Sequence, residues 1–341
     1  MSILSWAIPL CLAAALPLTV AAQKRVIVTG VSSADLTELQ AAAPLAKIVS
    51  AAGDAELRNQ IAEADGFIGS PTPELMRIGK KLKWVQVGSA GVDNIRFPEL
   101  IGSNVTLTNC KIIQGPEIAD HAFALLLSLT RRVGELTLRK SREEWPLREF
   151  QTPEKRPIEL NGRTALIIGM GGIGMQIAQR AHAFGMVVHG IDPKDISMTY
   201  FVKSIHPPDQ LRELLPKADV VFISAPHTPE SEKMIGPSEF ALMKEGAYFI
   251  VVSRGKTYDA NALVKAIDEK RLAGAGLDVT DPEPLPKGHP LWKFDNVVIT
   301  PHLAGTSDGF HSRQMEVFKE NLRRFSENRP LIHVVDKQKG Y

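Results

Sequence analysis

The chain has 341 residues, with 40 lysines and arginines against 38 aspartates and glutamates, a net charge of +2, and 44% apolar residues. This length and apolar content suit about two packed domains. The basic residues are scattered, with neither the stripe nor the zinc-finger spacing expected of a nucleic-acid binder. The nine histidines show no HxH or HExxH spacing, so no metal site is predicted.

Ile3 to Ala22 is almost free of polar groups, and Val20-Ala21-Ala22 offers a small-residue cleavage site before Gln23. That pattern resembles an export signal, and the run is also long enough for an uncleaved anchor. No lysine or arginine precedes Lys24, and Pro9 and Pro17 would disturb a spanning helix. A disordered apolar extension and a misassigned start are the plainer alternatives. The expectation is export to a periplasm or membrane anchoring rather than a cytoplasmic location, with membrane contact confined to residues 1–22. Of the two cysteines, Cys11 lies in this run, and Cys110 is expected to be a buried apolar residue rather than a nucleophile.

From Lys24 onward, short apolar runs alternate with helical stretches. Strands are predicted at 25–29, 47–49, 66–69, 83–87 and 105–108, and a helix at 35–43 with Ser32 or Ser33 at its cap. Strands separated by helices imply βαβ units and a mostly parallel sheet. A long helix is predicted over 116–140, where Ile118, Ala122, Leu125, Leu126 and Leu129 recur at three- and four-residue steps behind Pro116. Residues 145–160, with three prolines, read as a connector. A second set of strands follows at 164–168, 187–191, 220–224, 248–252, 276–279 and 297–300. A helix is then predicted over 312–327.

The strand at 164–168 runs into Gly169-Met170-Gly171-Gly172-Ile173-Gly174. Gly169 permits the tight turn, Gly171 lets backbone approach a pyrophosphate, and Gly174 permits close packing of helix on strand. Helix-start N–H groups then face the phosphates. Asp192 ends the next strand, 18 residues after Gly174. A carboxylate there accepts hydrogen bonds from ribose hydroxyls and repels a 2′-phosphate, which favours NAD over NADP. Lys194 is a mild counter-signal. The glycines alone equally fit a strand–helix turn with no ligand; the strand, helix and spaced carboxylate favour the cofactor.

Three further residues stand near the C-terminal ends of predicted strands, where open α/β sheets hold ligands. These are Arg254, Glu283 and His302. Hydride transfer to a 2-oxo acid needs a forked cation to hold the carboxylate and polarise the carbonyl. It also needs a proton donor that titrates in the useful range, and a carboxylate to fix that donor's ring. Singly, each residue has a bland reading: surface ion pair, loop carboxylate, helix cap. Together, beyond a dinucleotide fingerprint, they point to catalysis.

The segments Gly169–Gly174, Ser253-Arg254-Gly255, Gly274 to Val279, Glu283-Pro284-Leu285 and Thr300 to Gly305 resemble the D-isomer-specific 2-hydroxyacid dehydrogenase family. Val87 to Asp93 resembles its substrate loop, and Ala225-Pro226-His227-Thr228-Pro229 its nicotinamide-side loop. The resemblance covers nearly everything from Lys24 to Tyr341. It implies an α/β fold of two lobes, a Rossmann NAD-binding domain (116–305) inserted into a flavodoxin-like substrate domain (23–115 and 306–341). It also implies that Arg254, Glu283 and His302 are catalytic, and that Ala90 and Gly91 hold the substrate carboxylate together with Arg254 and His302. The cofactor would be held by Gly169, Gly171, Gly172, Ile173, Gly174, Asp192, Ala225, Pro226, Thr228, Ser253, Arg254, Asp278, His302 and Gly305, with Asp278 near the nicotinamide. A homodimer is implied as well.

The chain departs from the family pattern at Val251, where asparagine is common, and at Gly172, where arginine or lysine is common. His227 is expected to pack in its loop or touch cofactor or substrate, and His121 to be a packing or interface residue. Two rival readings stand beside the dehydrogenase: a relative oxidising phosphite, and an NAD-sensing corepressor, against which the apolar N-terminus argues. No regulatory domain follows Tyr341, which weighs against the long type of phosphoglycerate dehydrogenase.

Overall fold

The computed structural model describes residues 23–341; the signal or anchor expectation for residues 1–22 lies outside them. Among the described residues no helix is long and apolar enough to cross a membrane.

The first sheet contains β1 (Lys24–Val28), β2 (Ala46–Ser50), β3 (Gly66–Ile68), β4 (Trp84–Gln86) and β5 (Thr106–Thr108). Its strands are parallel in the order β2-β1-β3-β4-β5, the flavodoxin-type order. Ser32 caps the first helix, Ser33–Ala42, accepting from the Asp35 amide while the Asp35 carboxylate accepts from Ser32 N–H.

The second sheet holds β6 (Thr164–Ile168), β7 (Val187–Ile191), β8 (Ser204–His206), β9 (Val220–Ile223), β10 (Ala247–Val251), β11 (Leu272–Leu277) and β12 (Val297–Ile299). They lie parallel in the order β12-β11-β10-β9-β6-β7-β8. The order reverses between β6 and β9, the point where doubly wound sheets open a ligand crevice. Both faces of this sheet are covered by helices. That is why Val220-Val221-Phe222-Ile223 and Ala247 to Val251 are apolar at every position and buried throughout. Each large apolar side chain buried here stabilises the fold by roughly 1.5–3 kcal/mol.

The helix Gly115–Thr130 belongs to this second lobe. Ile118, Ala119, Ala122, Leu125, Leu126 and Leu129 pack against Ala165, Ile167, Val220, Phe222 and Ile250. The last helix, Phe310–Ser326, returns to the first lobe, where Met315, Phe318, Leu322 and Phe325 join Val26, Val28 and Trp84. Val334 then bridges Thr108 in antiparallel fashion. The chain therefore crosses between lobes twice. Arg313 ties the crossings together, donating to Ile113 O at 2.9 Å and to Glu117 Oε2 at 2.7 Å.

Three local expectations are corrected. The helix expected over 116–140 is two: Gly115–Thr130 and Val133–Lys140, separated by Arg132 in the left-handed region (φ 60°). The apolar stripe ends at Leu129, and the second piece has no fully buried residue. β11 starts at Leu272, four residues before the expected 276. Its Gly274 and Gly276 hid it as a strand, yet they are needed where the 115–130 helix presses close. A Cβ at Gly276 would lie 2.8 Å from Leu125 Cβ. β8, short and half-buried with two polar residues, was not anticipated.

Candidate active site

The glycine turn works by close approach. Gly169 has φ 95°, and a Cβ there would fall 2.5 Å from Ala225 N at the end of β9. A Cβ on Gly174 would meet Gly169 O at 1.9 Å, so only glycine allows the helix Gly172–Ala183 to start so near β6. At Gly171 a Cβ would meet nothing within 4 Å, which leaves open space over the helix start. The first turn of that helix carries no acidic residue, and its N–H groups suit a phosphate.

Asp192 follows β7 and is bound to the turn: Oδ2 accepts from Met170 N at 2.8 Å and Oδ1 from Lys194 N at 2.9 Å. Across the switch point, Ser224 Oγ donates to Gly169 O at 2.7 Å, which places Ala225 and Pro226 beside the turn. Thr228 is buried and its N–H donates to Ser231 Oγ. His227 Nε2 lies 3.7 Å from Glu232 Oε2. Ser253, after β10, is buried and its hydroxyl has no partner. An open turn, an anchored carboxylate and an unsatisfied buried hydroxyl on one sheet edge fit a dinucleotide.

The other half of the site grows from β10, β11 and β12, which are adjacent in the sheet. His302 follows β12 and has φ 53°. Its Nδ1–H donates to Glu283 Oε2 at 2.8 Å, while Glu283 Oε1 accepts from Thr280 N at 3.0 Å. The pair lines a cavity of about 570 Å³ whose apolar wall includes Leu285, Trp292 and Ile299. Gly255 abuts the same loop, since a Cβ there would lie 2.0 Å from Thr280 C, so Arg254 and Glu283 are held on touching segments.

Arg254 reaches across to the first lobe. Its Nε donates to Asp93 Oδ2 at 2.9 Å and its Nη1 to Ser253 O at 2.7 Å. Its Nη2 sits against Gly91, 1.6 Å from where a Cβ would be. The loop beneath is tightly built. Ser89 Oγ donates to Gly91 O at 2.7 Å, and Asn109 Nδ2 donates to Ala90 O at 2.6 Å. Asp93 and Asn109 carried no assigned role in the sequence, because nothing local marks a residue whose partner lies 161 positions away.

Gly305 O accepts from Gln114 Nε2 at 3.3 Å at the lobe crossing. Asp278, implied near the nicotinamide, is buried and has both carboxylate oxygens turned to the 300–304 backbone and Thr300. His121 is a hydrogen-bonded residue beside it rather than plain packing, with Nε2 2.8 Å from Thr300 Oγ1. Cys110 is fully buried and free, and burial pushes its thiol up to about 12, which leaves it no nucleophilic role at neutral pH.

Residues 123–304 match the NAD-binding domain of the D-isomer specific 2-hydroxyacid dehydrogenases. The chain is 35% identical over 268 residues to a glyoxylate reductase of Korarchaeum cryptofilum, covering 78% of this chain and 79% of that one. Among solved structures it is similar to a D-isomer specific 2-hydroxyacid dehydrogenase family protein from Aeromonas salmonicida. That match has a TM-score of 0.80 and 29% identity, over 92% of this chain and 99% of that one. It is also similar to an NADPH-dependent glyoxylate/hydroxypyruvate reductase from Sinorhizobium meliloti, at TM-score 0.78 and 25% identity over 93% and 100% of the two chains. The chain belongs to the D-isomer specific 2-hydroxyacid dehydrogenase family. It is an oxidoreductase of that family with a nicotinamide cofactor.

Proposed function

We propose that the protein is an NAD-dependent reductase that interconverts a 2-oxo acid and a D-2-hydroxy acid, with glyoxylate and hydroxypyruvate the first substrates to test. The observation that carries this reading is Arg254 spanning the cleft onto Gly91 and Asp93, beside the His302–Glu283 pair. The guanidinium packs directly on Gly91, and a small substrate carboxylate would take over that contact, held by the Ala90–Gly91 backbone and by the guanidinium, whose fork suits planar anions. Arg254 then polarises the 2-oxo group. His302 gives the forming hydroxyl its proton from Nε2, since Nδ1 is committed to Glu283. Glu283 fixes the ring by accepting from Nδ1–H. Gly169 to Gly174, Asp192, Ala225, Pro226, Thr228 and Ser253 would hold the cofactor, which when bound supplies the hydride. Narrowing of the cleft would exclude water as the site assembles.

Steady-state assays of NADH loss with glyoxylate, hydroxypyruvate, pyruvate and phenylpyruvate test the reading. Turnover of none of them would sink it.

NAD rather than NADP is supported by Asp192, whose carboxylate is anchored on the Met170 amide of the turn, where it would face a ribose. The Asp192→Ala variant is expected to raise the ratio of NADPH to NADH efficiency by about tenfold or more, a shift of ~1.4 kcal/mol. An unchanged ratio would show that Asp192 does not read the ribose.

A homodimer is supported by Val133, Leu138, Trp145 and Leu147, which are exposed on and just after a helix with no fully buried residue in its own chain. Sedimentation at micromolar concentration decides between dimer and monomer. For residues 1–22, export or anchoring is our reading from the apolar run. The N-terminal sequence and membrane partition of the protein made in cells test it.

A further inference from the structure

His302 sits in a conformation that needs holding. Its φ of 53° is one that non-glycine residues adopt rarely, at a cost of roughly 1–2 kcal/mol. The group that holds it is Asp278, at the end of β11. Asp278 O accepts from His302 N at 2.8 Å. Its Oδ1 accepts from Leu303 N at 3.0 Å and its Oδ2 from Ala304 N at 3.0 Å. The carboxylate side chain is only 1% exposed, so these bonds act with little competition from water.

A third bond reaches the same carboxylate from Thr300, whose Oγ1 lies 2.6 Å from Asp278 Oδ1. A hydroxyl has one proton, and here it goes to the carboxylate. Thr300 Oγ1 must therefore accept from His121 Nε2, 2.8 Å away, which fixes the proton of His121 on Nε2. His121 Nε2 is also 3.5 Å from Asp278 Oδ1, and among the described residues it is the basic side chain that pairs with that carboxylate. His121 stands on the 115–130 helix, packed across the sheet. The proton donor's loop is thereby referenced to a rigid helix as well as to a strand end.

We propose that His121 is a positioning residue for His302, acting through Thr300 and Asp278. This rests on the reading of His302 as the proton donor. His121 does not itself line the cavity; it bonds to Thr300, which does, and its work is to complete the clamp on the 300–304 loop.

The test compares His121→Phe, which fills the space without a donor, with His121→Gln, whose amide can donate to Thr300. In His121→Phe, kcat on the best 2-oxo acid should fall about 10- to 100-fold, the range for loss of a residue that orients an active-site ligand. KM and NADH affinity should move by less than about threefold. His121→Gln should recover most of the loss. Adding Thr300→Val to His121→Phe should cost little more, because both break one chain of bonds. In ¹⁵N-histidine-labelled protein, His302 ring signals should shift or broaden in His121→Phe. A kcat within about twofold of wild type, an equal loss in the Phe and Gln variants, or unmoved His302 signals would each overturn the proposal. If the wild type turned over no 2-oxo acid, the proposed activity would fall, and the His302 signals would still judge the positioning role.

Discussion

Replacement of His302 by alanine is expected to lower kcat for 2-oxo acid reduction by about 100- to 10,000-fold, the range that general acid catalysis contributes. The ring is held for one task. Nδ1–H is bound to Glu283, and Glu283 is itself bound to the Thr280 amide. That leaves Nε2 to exchange a proton with substrate. NADH affinity should hold within a few-fold, because the glycine turn, Asp192 and Ser224 lie around β6, β7 and β9, away from β12. His302→Asn provides the control for backbone effects, since asparagine accepts positive φ better than most residues but cannot act as an acid at neutral pH. Both variants should lose turnover alike. Wild-type kcat in either would remove His302 from the chemistry.

The second large effect belongs to a residue with no side chain. Gly91→Ala would place Cβ 1.6 Å from Arg254 Nη2. The guanidinium is the end of a flexible side chain, so the fold should survive with little change in melting temperature. Arg254, however, must swing off the loop and away from the position that its bonds to Asp93 and Ser253 O define. A displacement of about 1 Å at a substrate-holding group costs roughly 100-fold in rate, or ~2.7 kcal/mol. We expect that loss in kcat/KM, mostly as a higher KM, with NADH affinity unchanged. Asp93→Asn keeps the shape and weakens only the ion pair, so its loss should be smaller. An unchanged kcat/KM in Gly91→Ala would mean that this loop and Arg254 do not hold substrate together.

Much of the fold was legible along the chain because parallel strands buried on both faces announce themselves. Thr164–Ile168 and Val187–Ile191 were read to the residue, the first as an apolar run between Arg163 and Gly169, the second as the β-branched stretch that ends at Asp192 after the helix. β11 was read late because its glycines serve the helix above it, a contact made by Leu125 and Leu129 from 150 residues earlier in the chain. The break at Arg132 was hard to read because helical periodicity simply weakens there, no proline marks the stop, and the nearby Gly134 sits inside the second helix rather than at the break.

The site divides in the same way. Gly169 to Gly174 and Asp192 were readable because a phosphate-binding turn is local: strand, turn, helix and next strand lie within 29 residues. Arg254, Glu283 and His302 were readable as residue types at strand ends and through their resemblance to family motifs. How the groups face one another is not local information. The Asp93 ion pair with Arg254, the Gly91 contact, and the chain from His121 through Thr300 to Asp278 each join segments 22 to 179 residues apart. In the sequence Asp93 and His121 are a loop acid and a helix histidine, and Gly91 has its substrate role only through the family resemblance. They become parts of a site only because the order of the second sheet puts β10, β11 and β12 side by side, and because the two lobe crossings bring the 88–93 loop over them. Local patterns thus decided the cofactor turn and the fold class. Close packing of distant segments decided which groups meet: Arg254 with Gly91 and Asp93, and the 300–304 loop with Asp278 and His121.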